Sequence, residues 1–509
     1  MKYKMWVVSA LSVSILMIGG CSASNSSDKN TRMDNANMTE EEMSNMEGMD
    51  HSDMSDEDMG SMENGHDSHS NPLALNDSTG ENELILPPLI ESKDGVVDIT
   101  AQQGETEFYE DVQTETYGYN GSFLGPIIQV VRDETVTFRT NNDLSEPTTF
   151  HWHGLDIPGE GDGGPHQVLQ PGESEDVRFT VNQEASTLWF HPHPEGATAE
   201  QVFKGLAGLI YIEDENSENL NLPKDYGVND FPLIFQDRQF NEEKQFDYKA
   251  VVNQDGTIGD TLLINGTLNP KLTVGKEKVR LRLLNGSNAR NYLFKLNTGD
   301  SFQQIATDGG FLNEPTTMNE IMLTPGERAE IIIDFSMYDA LSDIALINEE
   351  DTKLLPFKIN EQKTSSSDLP KTTNDFAVTD EERILAVSKK LELFGMGAMV
   401  TINDKQFDID RIDFTQKQGV TEIWEIYNKP DAMGGMTHPF HIHGTQFKII
   451  SIDGNEPPVN EQGWKDTVAI DAGETMKLAV KFKNKGTYMF HCHILEHEEN
   501  GMMGQVKVD

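Results

Sequence analysis

The placement of the histidines constrains the fold of this 509-residue chain more than any other feature, because ten of the fourteen lie in four short clusters. The clusters occupy residues 151–153, 191–193, 438–443 and 491–497. Each contains a His-x-His pair, and on a β-strand the two members of such a pair share one face. Imidazole is the commonest metal ligand in proteins. Eight paired imidazoles are enough to hold three metal ions, provided that the fold brings distant parts of the chain together.

The last cluster begins with His491, Cys492 and His493, and the residues before it predict a strand that is entered from a glycine turn. Alternation places His491 and His493 on one face of this strand and Cys492 on the other. The three residues can therefore serve two sites that are joined by a few covalent bonds. His497 and Met502 follow at five-residue steps, in a predicted loop that can fold back over Cys492.

A second histidine for the cysteine site comes from the third cluster. His438 precedes the pair His441 and His443 by an odd number of residues, so it can face away from His441 and towards Cys492. A cysteine, two histidines and a distant methionine form the ligand set of a blue-copper electron-transfer site. The alternative is a buried cysteine in a histidine-rich turn. The chain's other cysteine is Cys21, so separate tasks for the two would leave no disulfide and one thiolate for metal.

An internal repeat with a period of about 145 residues indicates the domain organisation. Asn120–Pro126 is echoed by 265–270 and, more loosely, by 403–407, and each copy leads into an alternating strand pattern. Short strands between regular turn signals are typical of β-sandwiches. The expected fold is all-β, with three sandwich domains at residues 83–222, 223–365 and 375–509.

The predicted middle domain contains no histidine. The paired histidines are therefore divided between the first and third domains. A site built from all four pairs must lie where these two outer domains meet, and metal binding would then stabilise their assembly. The expected role of the middle domain is to hold the outer two in register.

These motifs resemble those of the multicopper oxidases, in the three-domain bacterial branch that contains cuprous oxidases and laccases. The resemblance covers about residues 85–509 and implies cupredoxin-like domains with four copper ions. It implies a type 1 copper held by His438, Cys492, His497 and Met502. It further implies a type 2 copper held by His151 and His441, and a type 3 pair held by His153, His191, His193, His443, His491 and His493.

The family resemblance also implies an activity. The type 1 copper takes single electrons from a reducing substrate, and Cys492 with its flanking histidines passes them to the three-copper cluster, where four of them reduce O2 to water. This reaction consumes protons, and the resemblance assigns proton-handling roles to Asp162 and Glu498. A turn or surface acid is the alternative for each. Asp466 can accept a hydrogen bond from a ligating histidine, or it is a strand-edge acid. His166 matches no family ligand and is expected at the surface.

The substrate is suggested by methionines near His438. Met436 lies two residues before it, where cuprous oxidases of this family carry a methionine beside a substrate copper, and Asp431 and Met433 could complete a soft site. Met396 and Met399 could contribute as well, although methionine is also a common core filler. We therefore favour oxidation of Cu(I) in copper tolerance.

Two other functions are compatible with the same sequence. A laccase that oxidises phenols or aromatic amines would share every copper ligand. A copper-storage or scaffold lipoprotein is the lesser alternative, since a scaffold predicts degraded motifs and these are complete. The expected partners are O2 and either Cu(I) or a small organic reductant, and the expected state is a monomer.

The N-terminus predicts export from the cytoplasm. A basic start and an apolar run to Gly20 indicate a signal peptide over residues 1–20. The segment 18–22 resembles a bacterial lipobox, so Cys21 is the expected lipidation site; a plain signal peptide or an uncleaved anchor is the alternative. The protein would then lie outside the cytoplasm, attached to the cell membrane through its lipid alone.

Residues 21–82 form an acidic segment rich in methionine, histidine and serine, which cannot bury enough apolar surface to fold. We predict a disordered, lipid-anchored tail. Thioethers favour Cu(I), and the nearby carboxylates and histidines also suit Cu(II), so copper capture is preferred over an inert tether. The net charge of -47 makes nucleic acid a poor partner, because affinity for nucleic acid comes mainly from neutralised phosphates.

Overall fold

The computed structural model describes residues 72–73, 80–253, 255–361, 368–432 and 434–509. The predicted signal peptide, Cys21, nearly all of the tail and Met433 lie outside these ranges. Within them, strands dominate and form six sheets that pack in pairs as three β-sandwiches, which confirms the predicted all-β, cupredoxin-like fold. No helix in the described ranges has both the length and the apolar character needed to cross a bilayer.

The first sandwich consists of two four-stranded sheets. In spatial order, the first sheet contains Val112–Tyr119, Val96–Tyr109, Thr135–Asp143 and Ser174–Thr180. The second sheet contains Leu89–Glu91, Ile127–Val131, Gly208–Glu213 and Ser186–Phe190. Apolar side chains alternate along these strands, so each sheet buries one face, and Phe138 and Leu188 from opposite sheets share a core.

The middle sandwich has larger sheets. The first contains Asn82–Glu83, Pro270–Gly275, Lys353–Asn360, Ile344–Ile347, Tyr292–Leu296 and Glu320–Leu323. The second contains Thr267–Leu268, Thr261–Ile264, Asp230–Arg238, Lys278–Asn285, Arg328–Asp334, Phe302–Thr307 and Gly310–Met318. Because Asn82–Glu83 pairs with Pro270–Gly275, the chain crosses the middle sandwich before it enters the strands of the first one.

The third sandwich has two five-stranded sheets. One contains Thr401–Ile402, Val387–Phe394, Glu422–Lys429, Thr475–Val480 and Phe447–Ile452. The other contains Phe414–Gln416, Met503–Val508, Gly486–Cys492, His438–Ile442 and Thr467–Ile470. Trp424 and Phe490, from opposite sheets, lie in its core together with Cys492.

The sequence repeat corresponds to one turn that is built three times. Asn120, Asn265 and Asn403 all have positive φ angles, between 51° and 56°. In each copy the side-chain oxygen accepts a hydrogen bond of 2.8 Å from a main-chain amide of the preceding strand region. Asparagine tolerates this left-handed conformation because its short polar side chain can bond the backbone locally.

Helices are short and lie between strands. The α-helices span Thr198–Lys204, Glu215–Asn219, Tyr248–Val251, Asp380–Ile384 and Leu495–Glu499, and the 3-10 helices span Gly159–Gly161, Phe335–Met337, Gly397–Met399 and Val459–Glu461. The prediction of a loop after Cys492 was wrong for Leu495–Glu499. Contacts with the middle sandwich fix this turn as a helix: Leu495 N donates to Asn288 O, and the buried carboxylate of Glu496 accepts from Asn288 Nδ2.

Strand pairing brings the histidine clusters together two by two. In the third sandwich, His438–Ile442 pairs antiparallel with Gly486–Cys492, so that Phe440 lies opposite Cys492 and His441 opposite His491. In the first sandwich, His151 and His191 exchange main-chain hydrogen bonds of 2.9 and 3.1 Å. Each outer domain therefore presents two His-x-His pairs side by side.

Candidate metal centres

Cys492 lies at the centre of a small buried cluster in the third sandwich. Its Sγ atom is 3.5 Å from His438 Nδ1 and 3.6 Å from His497 Nδ1. Met502 is fully buried, and its main chain closes the loop by accepting a bond from Cys492 N and donating one to His497 O. The structure therefore brings Cys492 together with both predicted histidines, and it places Met502 in the adjoining turn.

Burial determines the charge of this cluster. It raises the pKa of the Cys492 thiol, and it lowers the pKa of His438 to about 4. At neutral pH the imidazole of His438 is therefore uncharged and can offer a lone pair. The thiol keeps its proton unless a cation takes the proton's place. One soft sulfur beside two imidazoles is a donor set that suits copper.

The four His-x-His pairs converge where the first and third sandwiches meet, and all eight rings are buried. His151 Nε2 lies 3.4 Å from His441 Nε2, which joins one histidine of each outer domain. His491 Nε2 lies 3.3 Å from His193 Nε2 and 3.0 Å from His443 Nε2. The prediction that the pairs meet at the interface of the outer domains is therefore confirmed in the structure.

The remaining rings form a third group. His153 Nδ1 lies 3.4 Å from His191 Nε2, and the His493 ring lies 5.0 Å from that of His153. Neither ring nitrogen of His493 has a hydrogen-bond partner among the described residues. Burial lowers the pKa of His191 to about 3 and the pKa values of His153 and His493 well below their usual range, so these rings are neutral at physiological pH. Buried lone pairs without protein partners are costly, and metal ions would satisfy them. The cluster therefore fits copper.

Asp162 lies directly against this cluster. Its Oδ2 accepts a hydrogen bond of 2.7 Å from His443 Nδ1, and its main-chain oxygen accepts one of 3.0 Å from His151 Nδ1. These bonds leave the Nε2 atoms of both histidines facing the cluster. Asp162 Oδ1 has no hydrogen-bond partner among the described residues, and burial raises the pKa of the carboxyl group well above its usual range. The surface-acid alternative is excluded.

Glu498 lies near two other histidines of the cluster. Its carboxylate oxygens are 3.3 Å from His193 Nε2 and 3.4 Å from His491 Nδ1. Burial raises the pKa of Glu498, and the neighbouring acids Glu499 and Glu496 raise it further. A buried carboxyl group that favours its protonated form can hold a proton beside the histidines.

Asp466 holds one histidine from each outer domain. Its Oδ1 accepts a hydrogen bond of 2.9 Å from His153 Nε2, and its main-chain oxygen accepts one of 2.8 Å from His441 Nδ1. The residue is fully buried, immediately before the strand Thr467–Ile470. It is therefore a histidine-orienting residue, and the strand-edge alternative is excluded. His166 is exposed, as expected, and its Nε2 contacts Gln505.

The candidate substrate residues differ in their burial and in their relation to His438. The main-chain oxygen of Gly395 accepts a hydrogen bond from His438, and Met396 is the next residue in the chain. Met436 is half-buried against the core of the third sandwich. The side chain of Met399 is 77% exposed, so it is not a core filler.

The residues that the sequence did not reveal come from the middle sandwich. Arg328 is buried and binds both carboxylate oxygens of Asp466 at 2.6 Å. Gly326 packs so closely on His493 that a Cβ atom there would lie 3.0 Å from the ring. The tripeptide Pro-Gly-Glu occurs in the sequence at 325–327 and again at 171–173, but the copy at 171–173 carries no comparable contact in the structure.

Models of one protein family match nearly the whole folded body. The multicopper oxidase models match residues 100–217, 213–343 and 370–509. The chain belongs to the multicopper oxidase family. As a multicopper oxidase it is an oxidoreductase of a class that binds copper through histidine clusters and reduces O2 with electrons from a substrate.

Similar proteins carry several names. The multicopper oxidase mco of Staphylococcus epidermidis is 50% identical over 445 residues, which cover 86% of this chain and 95% of that protein. The structure of a laccase from Pediococcus acidilactici is 42% identical, covers 87% of this chain and 97% of its own, and superposes with a TM-score of 0.84. The cell division protein FtsP of Xenorhabdus nematophila is 36% identical over 446 residues, which cover 84% of this chain and 92% of that protein.

Proposed function

We propose that this multicopper oxidase couples oxidation of Cu(I) to reduction of O2 to water, outside the cytoplasm and in support of copper tolerance. The type 1 copper would be held by His438, Cys492, His497 and Met502. The type 2 copper would be held by His151 and His441. The type 3 pair would be held by one set of His153, His191 and His493 and a second set of His193, His443 and His491.

When bound, copper supplies the one-electron chemistry at the cysteine site and the reduction of O2 at the histidine cluster. The protein's own contribution begins with the short covalent path from the thiolate of Cys492 to the imidazoles of His491 and His493. Burial of all these side chains excludes water from both centres. Asp162 Oδ1 and Glu498 hold protons next to the histidines, where the formation of water consumes them.

The observation that carries the choice of substrate is the set of methionines close in sequence to His438 or to Gly395, its hydrogen-bond partner. Met396 follows the glycine that bonds this histidine, Met436 precedes it by two residues, and Met399 adds an exposed sulfur near the surface. The 3-10 helix Gly397–Met399 also contacts the helix that carries His497. Thioethers select Cu(I) over harder cations, so these methionines suit Cu(I) as the electron-donating substrate.

The carboxylate of Asp431 would add negative charge to the same site. Its charge partly offsets the effect of burial on the pKa of His438. Its Oδ1 accepts a hydrogen bond of 3.1 Å from Gly435 N, which orders the segment before His438. The proposed substrate site therefore combines Asp431 and Met436, with Met433 as a further candidate outside the described residues.

A laccase acting on phenols or aromatic amines is the second candidate, and the similarity to the Pediococcus acidilactici laccase favours it. The scaffold alternative has a parallel in the similarity to FtsP. It is disfavoured because every predicted copper ligand is present and buried. A storage protein would bind copper without consuming O2.

The test compares Cu(I) with a phenol as electron donor for oxygen uptake by the copper-loaded protein. Met436→Ala should lower kcat/KM for Cu(I) about tenfold, equivalent to about 1.4 kcal/mol, and leave the phenol rate unchanged. Met322→Ala is the matched control, since this methionine is half-exposed on the middle sandwich, which contributes no predicted copper ligand. Equal losses for both donors, or no oxygen uptake with Cu(I), would contradict the proposal.

We further propose that Cys21 carries the lipid anchor and that the methionine-rich tail captures copper for the enzyme. Deletion of residues 24–70 should leave the oxidation of an organic dye intact and weaken Cu(I) oxidation at low copper concentration. Oxygen uptake with each donor measures both effects. Unchanged Cu(I) kinetics would show that the tail is only a tether.

A further inference from the structure

Arg328 occupies a position that the proposed reaction does not explain. It begins the strand Arg328–Asp334 of the middle sandwich, and its side chain is fully buried. A guanidinium group has five N–H donors and never loses its charge in proteins, so burying it is costly unless all five are satisfied. The contacts of Arg328 should therefore indicate the role of its buried charge.

All five donors of Arg328 have acceptors, and the acceptors come from all three sandwiches. Nε donates to the main-chain oxygen of Thr187 in the first sandwich at 3.0 Å. Within the middle sandwich, the terminal nitrogens donate to the main-chain oxygens of Gly326 and Asp308, each at 3.1 Å. In the third sandwich, they donate to both carboxylate oxygens of Asp466 at 2.6 Å. This residue therefore connects three domains at one point.

Asp466, whose two carboxylate oxygens bind the guanidinium group of Arg328, is the residue that orients two histidines of the cluster. Its Oδ1 binds His153 Nε2 and its main-chain oxygen binds His441 Nδ1. Its Oδ2 also accepts a bond of 2.7 Å from Gln446 Nε2. An acceptor at His153 Nε2 fixes the proton on that nitrogen and leaves Nδ1 facing the cluster. The orientation of Asp466 thus determines which ring atom His153 offers.

The charge balance supports the same role. Burial opposes the charge on Arg328, but the carboxylates of Asp466 and Asp308 outweigh it, so the pKa of Arg328 lies above its usual value. A planar fork that binds both oxygens also prevents rotation of the carboxylate.

The turn before Arg328 contacts the cluster directly. Gly326 has a φ of +86°, and a Cβ atom there would lie 3.0 Å from carbon atoms of the His493 ring. Glu327 fixes the turn, because its Oε2 accepts hydrogen bonds of 2.8 Å from both the amide and the hydroxyl group of Thr324. The histidine-free middle sandwich therefore forms part of the wall of a site to which it contributes no ligand.

We propose that Arg328 is a positioning residue for the three-copper cluster, through which the middle sandwich sets the orientation of His153 and His441 by locking Asp466. This inference rests on the proposed function, since it assumes that the histidine cluster holds copper. It assigns the middle domain a direct part in the geometry of the centre, beyond holding the outer domains in register.

The experiment compares Arg328→Lys with Arg282→Lys in the full-length protein. Lysine keeps the charge but cannot bind both oxygens of Asp466. Arg282 is a matched control, because it is also buried in the middle sandwich, binds Asp230 with two nitrogens and contacts Thr187, but touches neither Asp466 nor a histidine in any described contact. Each variant is measured for copper per chain, for the thiolate-to-copper(II) absorbance and for oxygen uptake.

Arg328→Lys should retain the thiolate-to-copper absorbance, because Cys492 lies outside this network, while it loses copper from the histidine cluster. Loss of an outer contact to a ligand typically costs 10- to 100-fold in metal affinity or activity, and we expect oxygen uptake to fall by about that factor. Arg282→Lys should bind the same amount of copper as the unmodified protein. Asp466→Asn, which preserves side-chain volume, should reproduce the selective loss even if Arg328→Lys does not fold.

Three results would overturn the inference. Full copper content and unchanged oxygen uptake in Arg328→Lys and Asp466→Asn would show that the paired contact between Arg328 and Asp466 is dispensable. Equal copper loss in Arg282→Lys would show that the effect comes from general damage to the middle sandwich. An unmodified protein that binds no copper at the histidine cluster would overturn the proposed function and this inference with it.

Discussion

Burial changes the chemistry of single carboxyl groups in this protein. Asp162 and Glu498 would be ionised at neutral pH in water, but the loss of solvent raises the pKa of each and favours the protonated form. Both carboxyl groups lie within hydrogen-bond range of cluster histidines or close to it. Their assignment as proton donors remains a prediction, and it can be tested one residue at a time.

Asp162→Asn should slow oxygen uptake about 100-fold and leave the thiolate-to-copper(II) absorbance at about 600 nm intact. Asparagine can still accept the bond from His443, but it cannot carry a proton, and Asp162 does not contact Cys492 in any described interaction. The measurements are oxygen consumption per bound copper and the visible spectrum.

The control for this substitution is Asp156→Asn. Asp156 is also buried and has a raised pKa, but its partner is Lys483 and not a histidine. This variant should keep its oxygen uptake. Unchanged oxygen uptake in Asp162→Asn would remove Asp162 from the proton path.

At the scale of elements, the short helix Leu495–Glu499 and the turn after it position two of the proposed type 1 ligands. Gly501 N donates to Glu498 O, and Phe407 N donates to Gly501 O, so this turn joins the helix to a neighbouring loop. Gly501 has a φ of +94°, which a residue with a Cβ atom adopts only under strain. The turn therefore depends on glycine both for its conformation and for its close packing.

Gly501→Ala should weaken the thiolate-to-copper absorbance and lower the melting temperature. The added Cβ atom would lie 2.9 Å from Gln406 Cβ, so the turn must shift and carry Met502 with it. Gly172→Ala is the matched control, because its φ is +83° and no heavy atom lies within 4 Å of the added carbon.

The control should lose about 1–3 kcal/mol of stability from backbone strain alone and keep its absorbance. Absorbance titration with copper and thermal unfolding measure the two effects. The role of this turn would be refuted by identical spectra in the two glycine variants.

At the scale of the whole molecule, the histidine cluster joins the first and third sandwiches, and Arg328 connects both of them to the middle one. Ligands from two domains meet in one buried site, so binding of copper should depend on domain assembly and should stabilise it. The middle sandwich has its own large core, which contains no residue of the cluster.

Removal of copper with a chelator should therefore lower the melting temperature, and addition of copper should restore it. An ion present at about 1,000 times its dissociation constant contributes about 4 kcal/mol to the free energy of unfolding. Cys492→Ser, which disrupts only the single-domain site, should retain the part of this stabilisation that comes from the cluster between domains. Calorimetry with and without copper measures the difference, and equal melting temperatures would contradict the link between copper and domain assembly.

The sequence by itself determined the strand faces, the three-fold repeat and the set of residues that converge. Alternation along a strand is a local property, so His491, Cys492 and His493 could be assigned to two faces without a structure. The echoed asparagines likewise indicated a repeat, and the structure shows the same turn at each of them. The position of His497 on a helix escaped prediction, because contacts with Asn288 of another domain stabilise that turn.

Only the tertiary structure decided which groups surround the histidines. Arg328 and Asp466 are 138 residues apart, and neither carries a local pattern that predicts their contact. The buried state of Asp162, and with it the raised pKa, depends equally on packing between domains. Periodicity fixes the direction of a side chain relative to its own strand. The partner that it meets depends on how separate sheets pack, and that information is spread over the whole chain.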